Sequence, residues 1–207
     1  AVGKVLYNAY KTVLSDKKNI LLLVGHGNPD KNYSHANEQY TNLEKDLLER
    51  AANKNVFVGT VDYGDMLFFP EVEEGATPPA DAQVADTYIY KKLLNYCTAK
   101  GLNPSDITIH LSSIMSIAGD HAHNDLWGLE DQDSEINNAT PWADYSWRLK
   151  LKKMGFQIDE TESHHGSVNN CTIKGLGDYP EIRKIWLKHM TDIYNDESQW
   201  TTGEDYQ

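Results

Sequence analysis

Short apolar runs, each stopped by glycine or polar residues, alternate along the chain with stretches of helical spacing. The first run is Ile20-Leu21-Leu22-Leu23-Val24, preceded by Lys18-Asn19 and closed by Gly25-His26-Gly27. A fully apolar run of that length predicts a parallel strand buried on both faces. Val56-Phe57-Val58-Gly59-Thr60-Val61, Ile107-Thr108-Ile109-His110-Leu111 and Phe156-Gln157-Ile158 predict three more strands. Between them, a helix is expected from an N-cap at Ser34 to about Asn53, with Tyr40, Leu43, Leu47, Leu48 and Ala51 as its apolar stripe. Helical spacing returns over 85–100 (Ala85, Tyr88, Leu93, Leu94, Cys97) and over 142–154 (Trp147, Leu149). A last amphipathic helix is expected over Pro180–Tyr194, on Ile182, Ile185, Trp186, Leu187 and Met190.

Strand–helix alternation with apolar strands predicts an α/β fold: a three-layer domain with a mainly parallel sheet flanked by helices. One such domain over 1–195 and a mobile tail over 196–207 are expected. The Pro-rich acidic stretch 70–84 is expected to hold no packed element, and 129–140 and 159–171 read as polar loops. In open parallel sheets, ligands sit beyond the carboxyl ends of the strands. Three polar clusters fall at such ends: His26, Asp62 and Gly119–Asp125.

Composition narrows the function classes. The 207 residues carry 19 Lys+Arg against 31 Asp+Glu, a formal charge of −12, the wrong sign for coating nucleic acid. The longest clean apolar run is far below the roughly 20 residues of a membrane span. Two cysteines, Cys97 and Cys171, form no CxxC, and whether they pair is open. A cytoplasmic location is expected; the start at Ala1 rather than Met points to a trimmed, processed or partial chain, so a periplasmic or exported protein after signal-peptide removal is the alternative.

His26 stands between two glycines after a buried strand, where it could serve as metal ligand, as general base, or only as a loop residue. His121 lies in Ala118-Gly119-Asp120-His121-Ala122-His123-Asn124-Asp125, where Asp120 or Asp125 could orient its ring or cap a helix. His123, two residues on, would point away. Asp62 ends the second strand, either as a turn residue or as a carboxylate completing a site for a first-row divalent metal. His110 reads as a satisfied core histidine, His35 and His189 as helix-surface residues, and His164-His165 as a solvated loop or metal-collecting patch. Met115, Trp147 and Leu176 read as core or pocket wall. The absence of HExxH, GxxxxGK[ST], GxSxG and GxGxxG removes the zincin, P-loop, hydrolase and dinucleotide readings.

The ordered series Leu22–Gly27, Met115–Asp125, Ser146-Trp147, Lys174-Gly175-Leu176-Gly177 and Pro180–Arg183 resembles the anaerobic cobalt chelatases, the sirohydrochlorin cobaltochelatases of the class II chelatase superfamily. The resemblance implies two similar α/β domains with a cleft between them, and ATP-independent insertion of Co²⁺ into sirohydrochlorin in anaerobic cobalamin synthesis. It implies His26 and His121 as catalytic and metal-binding residues, with Asp62 where the family usually has Glu. Gly25, Gly27, Met115, Gly119 and Asp120 are then expected to bind substrate. Co²⁺ is the expected substrate metal, with Fe²⁺, Ni²⁺ or Zn²⁺ as alternatives, and no nucleotide is required. Ala1 falls near the start of the family's second domain, so a missing first domain or a second copy of the chain is expected to complete the cleft. Two rivals remain: a non-catalytic haem-, tetrapyrrole- or metal-binding protein on a truncated chelatase domain, and a metal store using the His-rich loops.

Overall fold

The computed structural model describes residues 1–30, 34–62, 66–73, 76–128, 136, 145–160 and 173–199. Four strands, β1 (Asn19–Gly25), β2 (Val56–Thr60), β3 (Thr108–Ser113) and β4 (Gln157–Ile158), form one sheet in the order β2-β1-β3-β4. Every pairing is parallel, so the mainly parallel sheet is wholly so among the described residues.

The central strand explains the layering. Successive side chains on a strand face opposite ways, and both faces of β1 are apolar. Ile20, Leu22 and Val24 enter a core with α3 (Ile89–Lys100), α4 (Trp147–Lys153) and Trp127. Leu21 and Leu23 enter a second core with α1 (Val2–Leu14), α2 (Ser34–Arg50) and the first turn of α5 (Pro180–Asn195). Ile20 to Val24 are all fully buried, each contributing roughly 1.5–3 kcal/mol of transfer free energy. The outer edge of β2 is closed from both layers. Glu44 of α2 accepts the Val58 N–H and pairs with Lys92 of α3 at 2.7 Å, which blocks pairing with another strand.

Several expectations need correction. Helix α1 was not anticipated, although Leu6, Tyr10 and Leu14 recur at helical spacing and are buried. The stretch 70–84 is not free of packing: a short 3₁₀ turn covers Asp81–Gln83, Val84 is 4 % exposed, and Asp81 accepts a hydrogen bond from Tyr90. Helix α3 starts at Ile89 rather than Ala85, and α4 at Trp147. On α5 only Ile182 is buried; Leu187 and Met190 of the expected stripe are largely exposed. Cys97 is a buried free thiol, whereas Cys171, His164, His165 and most of 129–140 lie outside the described residues.

Candidate metal centre at the strand ends

The chain leaves β1 toward α2 on one face and leaves β3 toward the other, so a crevice opens between these adjacent strands at their carboxyl ends. His26 follows β1 directly. Its loop is fixed locally. Gly27 has φ +83°, a conformation that favours glycine. A Cβ on Gly25 would stand 2.2 Å from the Tyr40 ring, whose hydroxyl accepts the Gly27 N–H. Asn37 brackets the next residue, accepting the Asn28 N–H and donating to the Asn28 carbonyl. Tyr40 and Asn37 lie on α2; in the sequence, Tyr40 is visible only as a stripe residue.

Asp62 is placed by the β1–β2 ladder, whose last bond runs from its N–H to the His26 carbonyl at 2.9 Å. His121 begins a π-helical segment, Ala122–Trp127, after the β3 loop. Such widened turns concentrate at functional sites. The fully buried Arg148 of α4 holds the far end of this segment, its Nε donating to the Trp127 carbonyl at 2.6 Å and its Nη2 to that of Gly128.

Three side chains from three strand ends thus converge. His26 Nε2 lies 3.2 Å from His121 Nε2, with the rings nearly perpendicular, and 3.3 Å from Asp62 Oδ2. Both Nδ1 atoms face oxygens that can only accept: His26 Nδ1 donates to the Gly27 carbonyl at 2.8 Å, His121 Nδ1 to Asp125 Oδ2 at 2.5 Å. Those bonds fix the tautomers, so each neutral ring turns an Nε2 lone pair toward the other, and that of His26 also faces the Asp62 carboxylate. A cation shared among them, proton or metal, relieves that arrangement. Two donors each about 2.1 Å from one ion stand roughly 3–3.5 Å apart, which matches both contacts. Among the described residues no group of three or more His, Cys, Asp or Glu side chains is placed to hold a metal ion as it stands; the two short contacts meet only at His26 Nε2. The His121 pKa is raised above its ordinary value near 6.5, chiefly by the bond to Asp125, with burial opposing it and the charges of Asp125, Asp62 and Asp120 adding to it.

The other candidates fall around this centre. Of the two aspartates weighed for His121, Asp125 orients the ring, while Asp120 accepts from Asn124. His123 turns away to the Gly119 carbonyl. Met115 is half-buried and Gly119 exposed, while the space a Gly25 side chain would fill is occupied by Tyr40. Trp147 and Leu176 pack in or against the two cores. His110 is buried, its Nδ1 2.9 Å from Asp159 and its Nε2 on Asn19. Beside the centre lies a polar cavity of about 360 Å³, lined by Val61, Asp62, Asn124, Asp125, Ser146 and Lys150 among others.

Fold and site together define a parallel α/β protein with an imidazole–carboxylate cluster in a strand-end crevice. The family described as Cobalt chelatase (CbiK) matches residues 90–195, just over half of the 207. The chain belongs to that cobalt chelatase family. The matched span contains β3, His121 and Arg148; His26 and Asp62 lie before it. Membership makes the protein a metal chelatase and implies a tetrapyrrole substrate. The chain matches no curated protein and no solved structure. No helix among the described residues is long and apolar enough to cross a membrane.

Proposed function

We propose that the protein inserts Co²⁺ into sirohydrochlorin without a nucleotide, and that His26, His121 and Asp62 hold the incoming metal. The observation that carries this reading is the facing pair of Nε2 atoms, 3.2 Å apart, with both Nδ1 atoms already committed as donors. Two imidazoles and one carboxylate leave coordination positions open for pyrrole nitrogens. Insertion exchanges one M²⁺ for two pyrrole N–H protons, so the site must release metal and accept protons together. As the ion passes to the macrocycle, each vacated Nε2 regains a lone pair that can take a pyrrole proton. Asp125 favours protonated His121 and suits it to that second role.

The side chains of His26, Asp62, His121 and Asp125 are each 43–48 % exposed, which leaves the crevice open for a flat ligand. We further propose that a second copy of the chain or a preceding domain covers it, and that the protein works in the cytoplasm. The test is anaerobic absorbance of the protein with sirohydrochlorin and Co²⁺, beside His26→Ala and His121→Ala. Conversion faster than in buffer, lost in both variants, is expected. A tetrapyrrole spectral shift without conversion would replace the enzyme with a binding protein.

A further inference from the structure

A polycarboxylate macrocycle needs cations near the crevice, and a chain of net charge −12 has few to spare. The three arginines divide sharply. Arg50 is held by Asp46 at 2.8 Å, and Arg148 is fully buried on backbone carbonyls. Arg183 is exposed, and its guanidinium donates to the Gly177 carbonyl at 2.6 Å, with no carboxylate partner among the described residues. Lys174 is likewise exposed, lies 5.8 Å from the centre of the Tyr179 ring, and has no carboxylate partner among the described residues.

Both cations are tied to the loop that leads from β3 to His121. Leu176 N–H donates to the Met115 carbonyl at 2.8 Å, and Gly177 N–H to the Ser116 carbonyl at 2.9 Å. The segment lies so close that a Cβ on Gly175 would stand 2.7 Å from the Ala118 nitrogen. This loop is therefore fixed, and it holds Ile117 in solvent at 81 % exposure. A single exposed apolar residue is ordinary. One held out by a built loop four residues before a candidate metal ligand, with two cations on or bonded to the supporting segment that have no carboxylate partner among the described residues, has the elements of a recognition surface: an apolar contact for a ring face and cations for its carboxylates.

We infer that Ile117, Arg183 and Lys174 form the macrocycle-recognition wall of the site, with Ile117 against the ring and Arg183 as the principal carboxylate anchor. This rests on the chelatase reading and extends it to residues that hold no metal.

The experiment is steady-state cobalt insertion with sirohydrochlorin as the varied substrate. Arg183→Glu is expected to raise KM about tenfold or more, the scale of a lost charge-assisted bond, with kcat within about twofold and Co²⁺ affinity unchanged. Arg183→Lys restores most of the loss, and Ile117→Ser raises KM about threefold. An active protein whose KM is unmoved by Arg183→Glu and Ile117→Ser overturns the wall and leaves the chelatase reading standing. If the unmodified protein converts no sirohydrochlorin, the chelatase reading fails, and equilibrium binding of the metal-free macrocycle decides the wall separately. Binding lost in Arg183→Glu upholds it; equal binding, or none by either protein, overturns it.

Discussion

Two histidine–aspartate pairs belong to the same strand and its loop, and their chemistry diverges. His110 in β3 pairs through Nδ1 with Asp159 at 2.9 Å, and its Nε2 meets Asn19. His121, beyond the carboxyl end of β3, pairs through Nδ1 with Asp125 at 2.5 Å, but its Nε2 faces His26. The first pair is about 10 % exposed, the second nearly half. One pair closes on itself inside the fold; the other leaves a donor atom at a crevice. A His–Asp contact alone therefore says little. What matters is where the second nitrogen points.

The largest expected effect separates the two rings outright. His121→Ala should cut cobalt insertion by about 100-fold or more, the scale of a lost acid–base or ligand group, while leaving thermal stability nearly unchanged. His110→Ala should do the reverse: kcat is retained, and Tm falls by about 5–10 °C, because the buried His110–Asp159 contact and the packing of the ring are both lost. Next comes the orienting carboxylate. Asp125→Asn should weaken Co²⁺ binding about 10–100-fold at neutral pH, as losses of a ligand's hydrogen-bond partner do, measured by titration calorimetry. The pH dependence sharpens this. Metal needs the neutral ring, and His121 carries a pKa raised above 6.5 mainly by Asp125. Binding should therefore fall as pH drops through that raised value, and the fall should move to lower pH in Asp125→Asn. The smallest effect is on stability: Asp125→Asn should shift Tm by no more than about 2–4 °C, since an exposed pair contributes about 0–1 kcal/mol.

Much of the fold is legible in the sequence because strands buried on both faces announce themselves. Ile20–Val24 has no polar position, and the structure buries all five. The family resemblance, carried by the Gly119–Asp125 and Gly25–Gly27 segments, agrees with the family match over 90–195. The strand-end rule places His26, Asp62 and His121 on one edge of the sheet, and the structure brings their side chains together. Helix α1 has a clear apolar face, with Val2, Val5 and Val13 beside Leu6, Tyr10 and Leu14, but its valines and tyrosines are weak helix formers, so local propensity masks the periodicity. Asp125 could not be told from Asp120, since both flank the histidine and only the π-helical turn decides between them. Arg148 carries no sequence signal either: an arginine among lysines on a short helix reads as surface, yet it is fully buried on the carbonyls that end the segment begun by His121.

X-ray absorption of the Co²⁺-loaded protein tests the central claim most directly. A shell with two imidazoles and a carboxylate oxygen is expected, losing one imidazole in His26→Ala and in His121→Ala and keeping both in His110→Ala. A shell unchanged by the first two substitutions would contradict it.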